Sequence, residues 1–97
     1  MKGAIAVAAV CLALPATAGG YPPITCGRTT VAAKTYIVRS HGPTCGFATR
    51  WVRTYVAHRR GPDGYRCRAY GAQVPAYCKH TGRRYRFRYF LANPATS

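Results

Sequence analysis

The stretch Arg83-Arg84-Tyr85-Arg86-Phe87-Arg88-Tyr89-Phe90 decides how this chain is read. Rings stand at Tyr85, Phe87 and Tyr89, with arginines between them at Arg84, Arg86 and Arg88. A strand sends successive side chains to opposite faces, so the alternation predicts one apolar face backed by one cationic face. On a helix the same arginines would run round the cylinder. The stretch reads as a β-strand whose rings meet a core and whose guanidinium groups meet water or an anion.

Two further strands are expected just upstream. Tyr65 to Tyr70 alternates Tyr65, Cys67 and Ala69 with Arg66 and Arg68, and Val74 to His80 places Val74, Ala76 and Cys78 on one face. Gly71-Ala72-Gln73 and Thr81-Gly82 supply turn residues between them. A tight turn at Ala72-Gln73 sets Cys67 opposite Cys78, which suits a cross-strand disulfide.

Cys45 to Arg60 reads as a helix. Phe47, Ala48, Trp51, Val52, Tyr55 and Val56 form one apolar stripe, Thr44 is a suitable N-cap, and Gly61-Pro62 ends it. Trp51 is expected at the centre of the packing. Ile24 to Ser40 is ambiguous. Its β-branched residues favour a strand, Ala32-Ala33-Lys34 suits a helix, and a strand is expected over the latter half. Thr25-Cys26-Gly27 recurs as Thr44-Cys45-Gly46 nineteen residues on, which is either a duplicated half or coincidence.

The first 18 residues read as an export signal. Lys2 precedes an apolar run from Gly3 to Leu14, Pro15 breaks it, and Ala16-Thr17-Ala18 fits signal peptidase. The run is too short to span a bilayer. Removing 18 of 97 residues leaves one domain of 79, 19–97, with an ordered core over about 24–91. A chain that small gains little from apolar burial alone. Cys26, Cys45, Cys67 and Cys78 remain, and an even count in an exported chain points to two disulfides. Cys26–Cys45 with Cys67–Cys78 is the favoured pairing, and a bond from Cys45 onto the sheet stays open. Zinc ranks well below disulfides because no CxxC knuckle occurs.

Charge is the strongest compositional signal. The whole chain carries 15 Lys+Arg against one acid, and loss of Lys2 with the signal leaves 14 cations facing Asp63, a formal +13. Internal salt bridges cannot neutralise that surplus, so polyanions are the expected partners: nucleic acid, lipopolysaccharide, wall polymer or acidic polysaccharide. Arginine outnumbers lysine 12 to 3, which suits forked contacts to phosphate or sulfate. If the three strands pair antiparallel, Arg66, Arg68, Arg84, Arg86 and Arg88 share one anion-binding face.

Catalytic chemistry finds few residues to work with. One carboxylate side chain rules out the usual paired-acid glycosidase, and Ser40 and Ser97 lack a nucleophile setting. A two-metal nuclease lacks ligands. A small basic ribonuclease is the remaining enzyme class, with His41 and His80 as acid and base and Lys79 on phosphate. The weightier alternative is that these histidines, like His58, are ordinary surface residues near turns.

Cys45-x-x-Ala48-x-Arg50-x-Val52, then Gly64-Tyr65-Arg66-Cys67, Tyr77-Cys78 and Arg86-Phe87-Arg88 resemble a pattern in small exported bacterial proteins of unknown function. That resemblance spans Cys45 to Phe90, leaves Cys26 outside it, and implies an exported α+β domain without an assigned chemistry.

The reading is thus a disulfide-stapled α+β domain, one helix on a three- to four-stranded antiparallel sheet. It is expected to be a secreted or periplasmic monomer with no cofactor, metal or transmembrane segment. Its expected role is non-catalytic binding of an anionic polymer or envelope surface. The alternatives are the histidine ribonuclease and an accessory or inhibitor protein docking on an acidic partner.

Overall fold

The computed structural model describes residues 22–95, so the signal expected over 1–18 lies outside the described residues. The strands are β1 (Ile24–Val31), β2 (Lys34–His41), β3 (Tyr65–Arg68), β4 (Ala76–His80) and β5 (Tyr89–Pro94), and the helix is α1 (Cys45–His58). They form one sheet in the order β1-β2-β5-β4-β3, antiparallel at every junction. With α1 on one face, the domain is α+β as expected, with five strands rather than three to four.

The additional strand comes from the ambiguous segment. Residues 24–41 make a complete hairpin, with Val31 paired to Lys34 and Thr30 to Thr35. The two threonine hydroxyls lie 2.9 Å apart. Ala32 and Ala33, which suited a helix, instead form the turn, both left-handed at φ 50° and 69°. A two-residue turn between right-twisted strands requires that conformation at both positions. Pairing of the β-branched flanks therefore overrides the local preference of alanine.

Thr44 caps α1, its Oγ1 accepting from the Phe47 N–H at 3.2 Å. The helix stops at His58, two residues before the expected end at Arg60, because Arg59 adopts the left-handed conformation and donates its N–H to Tyr55 O. Ala48 and Val52 are fully buried. Trp51 only packs against the flank of the core, so the centre expected for it is held by Val38, Val52, Cys78 and Phe90.

Both favoured disulfides are present. Cys67 pairs directly with Cys78 across β3 and β4, with Cα atoms 4.0 Å apart. Cys26 bonds to Cys45, the first residue of α1, with Cα atoms 5.3 Å apart. The strand register shifts between Thr25 and Gly27, so Cys26 is the extra residue of a bulge. This bond joins the first strand of the sheet to the helix. The sequence echo is not a structural repeat, since its first copy is a strand and its second opens a helix.

The C-terminal ribbon corrects the reading of residues 83–90. Arg83–Tyr85 is a turn of 3-10 helix, and β5 begins only at Tyr89. Its parity is also the reverse of that expected. Phe90 and Ala92 point inward at 0% exposure, while Tyr85 and Phe87 are 43% and 54% exposed. Phe90 lies between Ser40 of β2 and Cys78 of β4, all three buried. Burying that ring stabilises the domain by about 3 kcal/mol, and its position fixes the register of β5. His80 N–H donates to Arg88 O, so the β4–β5 connection must absorb residues 81–87 and coils instead of extending.

Candidate anion-binding face

Sheet parity separates two surfaces. Tyr36, Val38, Ser40, Ala76, Cys78, Phe90 and Ala92 are buried on the side that carries α1. The alternate residues form an outer face. One row across the strands reads Arg39, Leu91, Tyr77, Arg68, and the next reads His41, Tyr89, Lys79, Arg66. Arg28 joins this face from β1, opposite Ile37. Arg28, Arg39, Arg66, Arg68 and Lys79 are all exposed. Neighbouring strands lie about 4.8 Å apart, so Arg39 and Arg68 are about 14 Å apart at the backbone. Cations therefore flank a partly apolar middle.

Rings occupy that middle. His41 and Tyr89 stack at 5.2 Å and 7°, and Tyr89 and Tyr77 stack at 5.6 Å and 19°. Tyr70 meets Tyr77 edge-on at 5.7 Å. Tyr89 thus has neighbours on both of its faces, and the stack is already closed on itself. Beside it Arg66, Arg68, Tyr70, Tyr77 and Lys79, with His80 and Thr81, line an open cleft of about 370 Å³. Burial first, then the adjoining phenols of Tyr89 and Tyr70, hold the Tyr77 hydroxyl above the usual tyrosine range.

The helix side treats its arginines differently. Arg53 donates to Thr29 Oγ1 and Thr30 O, both at 2.8 Å, and pins α1 to the first hairpin. Arg50 lies over Trp51 and Arg59 over Tyr55. Asp63 in the turn before β3 is the one acidic side chain of the chain.

The five arginines expected on one face are not brought together. Arg66 and Arg68 stand on the outer face as read. Arg84 and Arg86 are exposed in the coiled connection and belong to no strand. Arg88 turns to the helix side, where it lines a small cleft with Pro43, Thr44, Phe47 and Tyr65. Its guanidinium lies over Tyr85, and its Nε is buried without a hydrogen-bond partner. Gly42 makes room for it, since a Cβ there would fall 2.9 Å from Arg88 Cγ. These three departures share one cause, the coiling of 81–87.

The ribonuclease candidates are also divided. His41 ends β2 on the outer face, stacked on Tyr89, with Nδ1 2.7 Å from Phe87 O. His80 packs against Tyr65 and Tyr85 on the helix side, where its Nδ1 accepts from the Gly82 N–H at 2.9 Å. An acid and base acting on one phosphodiester must converge, and sheet parity sends these two apart. Lys79 shares the outer row with His41 and also lines the cleft that His80 borders.

Sequence reasoning missed Arg28, Arg39, Tyr77 and Tyr89 as members of the face. The signal for Arg39 was present, because Tyr36, Val38 and Ser40 alternate with Ile37, Arg39 and His41. Among the described residues no helix is long and apolar enough to cross a membrane. The two disulfides are crosslinks that form and persist in oxidising surroundings. No family model matches the chain, nor does any curated protein or solved structure.

Proposed function

We propose that this is an exported, non-catalytic protein whose outer sheet face binds an anionic polymer or an anionic envelope surface. One observation carries the reading: Arg28, Arg39, Arg66, Arg68 and Lys79 are exposed on a single face with no acid among them. Like charges across neighbouring strands repel, and a bound polyanion relieves that repulsion. The disulfides support export to a periplasmic or extracellular site. The expected site is therefore Arg66 and Arg68 with Lys79, Arg28 and Arg39, and not the ribbon of Arg84, Arg86 and Arg88.

Heparin chromatography tests this. Arg66→Ser/Arg68→Ser/Lys79→Ser should elute at clearly lower salt than the parent. Arg83→Ser/Arg84→Ser/Arg86→Ser, which also removes three exposed cations, should shift elution less. Affinity should fall linearly with salt on logarithmic axes, because each neutralised group releases counterions. Equal shifts for the two variants would mean that net charge alone does the binding.

A further inference from the structure

We infer that the cleft between β3 and β4 is a seat for one tetrahedral oxyanion, a phosphate or sulfate group of the polymer, held by Arg66, Arg68, Lys79 and the hydroxyls of Tyr70 and Tyr77. The inference rests on the binding reading above and assigns the chemistry of its ligand. Three features of the cleft distinguish it from a diffuse field.

The donors differ in kind and converge on one space. Two arginines, one lysine and two tyrosines line the same cleft of about 370 Å³. A guanidinium fork engages two oxygens of an anion at once. The non-bridging oxygens of a tetrahedral centre, two in a chain phosphate and three in a sulfate ester, point out of any single plane towards lysine and the phenols, whereas both oxygens of a carboxylate lie in one plane. The mixed donor set therefore matches the tetrahedral group.

The central ring of the face is covered, although Tyr70 at its edge is 56% exposed. Base stacking needs an open aromatic face. Tyr89 is covered on one side by His41 and on the other by Tyr77, and Tyr70 abuts Tyr77. A seat for the charged group of a chain is indifferent to its bases.

The neighbouring structure holds the donors in place. Cys67 lies between Arg66 and Arg68 and is bonded to Cys78, which is wholly buried beside Phe90. The two arginines thus project from a stapled pair of strands.

Competition for a fluorescent heparin fragment separates the possibilities. Polyphosphate and heparin should compete about tenfold better than polyglutamate of equal charge, the ratio that one charge-assisted hydrogen bond commands. Their relative strengths assign phosphate or sulfate as the source. Oligo(dA) and oligo(dT) of one length should compete equally. Arg66→Lys/Arg68→Lys with Tyr77→Phe preserves charge and should retain heparin binding while the preference over polyglutamate falls towards unity. Polyglutamate competing as well as polyphosphate, a preference for one base, or an undiminished preference in the variant would overturn the seat and leave polymer binding standing. No binding of any polyanion would remove both readings.

Discussion

Gly61 shows how one residue constrains a distant element. It follows the helix exit, and a Cβ placed on it would run into Cys67 Sγ. Gly61→Ala should therefore destabilise the domain by about 1–3 kcal/mol through overpacking. A lower denaturant midpoint, with slower appearance of the Cys67–Cys78 bond in a thiol assay, checks this. Tyr77 makes a different prediction. Burial, then its phenol neighbours, raise its pKa above the ordinary 10.0 in the folded state. The unfolded chain then loses this proton first as pH rises, so the contribution is intact below 10 and is lost through the folded value. Tyr77→Phe should make stability fall less between about pH 9 and pH 11, as followed by denaturant midpoints. An alkaline limb of unchanged steepness would show that other groups dominate it. At this scale the sequence was only partly legible. Arg66 and Arg68 were found because Cys67 between them marked the inner face. Arg88 misled because its alternation with rings looks the same in a strand and in a coil. Only the pairing of Phe90 with Ser40 and Cys78 decides between them, and that is non-local.

Among the elements, α1 and the β3–β4 pair were readable because their signals are local. Thr44 caps the helix and Ala48 and Val52 lie on its stripe. Turn residues centred on Ala72-Gln73 bring Cys67 opposite Cys78. The first hairpin was half hidden, since nothing in Ala32-Ala33 announces a left-handed turn. That turn is strained: each non-glycine residue in the left-handed conformation costs about 1–2 kcal/mol, offset by strand pairing and by Arg53 clasping Thr29 and Thr30. Ala32→Asn/Ala33→Gly installs the residues that accept the geometry. The double variant should raise the denaturant midpoint by the equivalent of about 1 kcal/mol, with circular dichroism unchanged. If the midpoint stays or falls, the turn carries no such strain. Polymer binding should be unaffected, because neither residue belongs to the outer face.

For the molecule as a whole, charge and arrangement can be pulled apart. The surplus of cations belongs to the composition and survives unfolding, whereas the sorting of those cations onto one face belongs to the fold. The Cys26–Cys45 bond fastens β1 to the start of α1, and removing a native disulfide from a small domain costs about 2–5 kcal/mol. That is a large part of the whole stability of a domain this size. Cys26→Ala/Cys45→Ala should therefore melt at a much lower temperature, and added heparin should raise that temperature by mass action if it binds the folded form. Complete reduction followed by capping with a neutral reagent goes further, giving an unfolded chain of unchanged net charge. That chain should still be retained on heparin, because counterion release needs only cations. It should no longer prefer polyphosphate to polyglutamate of equal charge, because the forks of Arg66 and Arg68 are no longer set beside Lys79 and Tyr77. Preference kept by the capped chain would assign recognition to composition and leave the sheet only a scaffold.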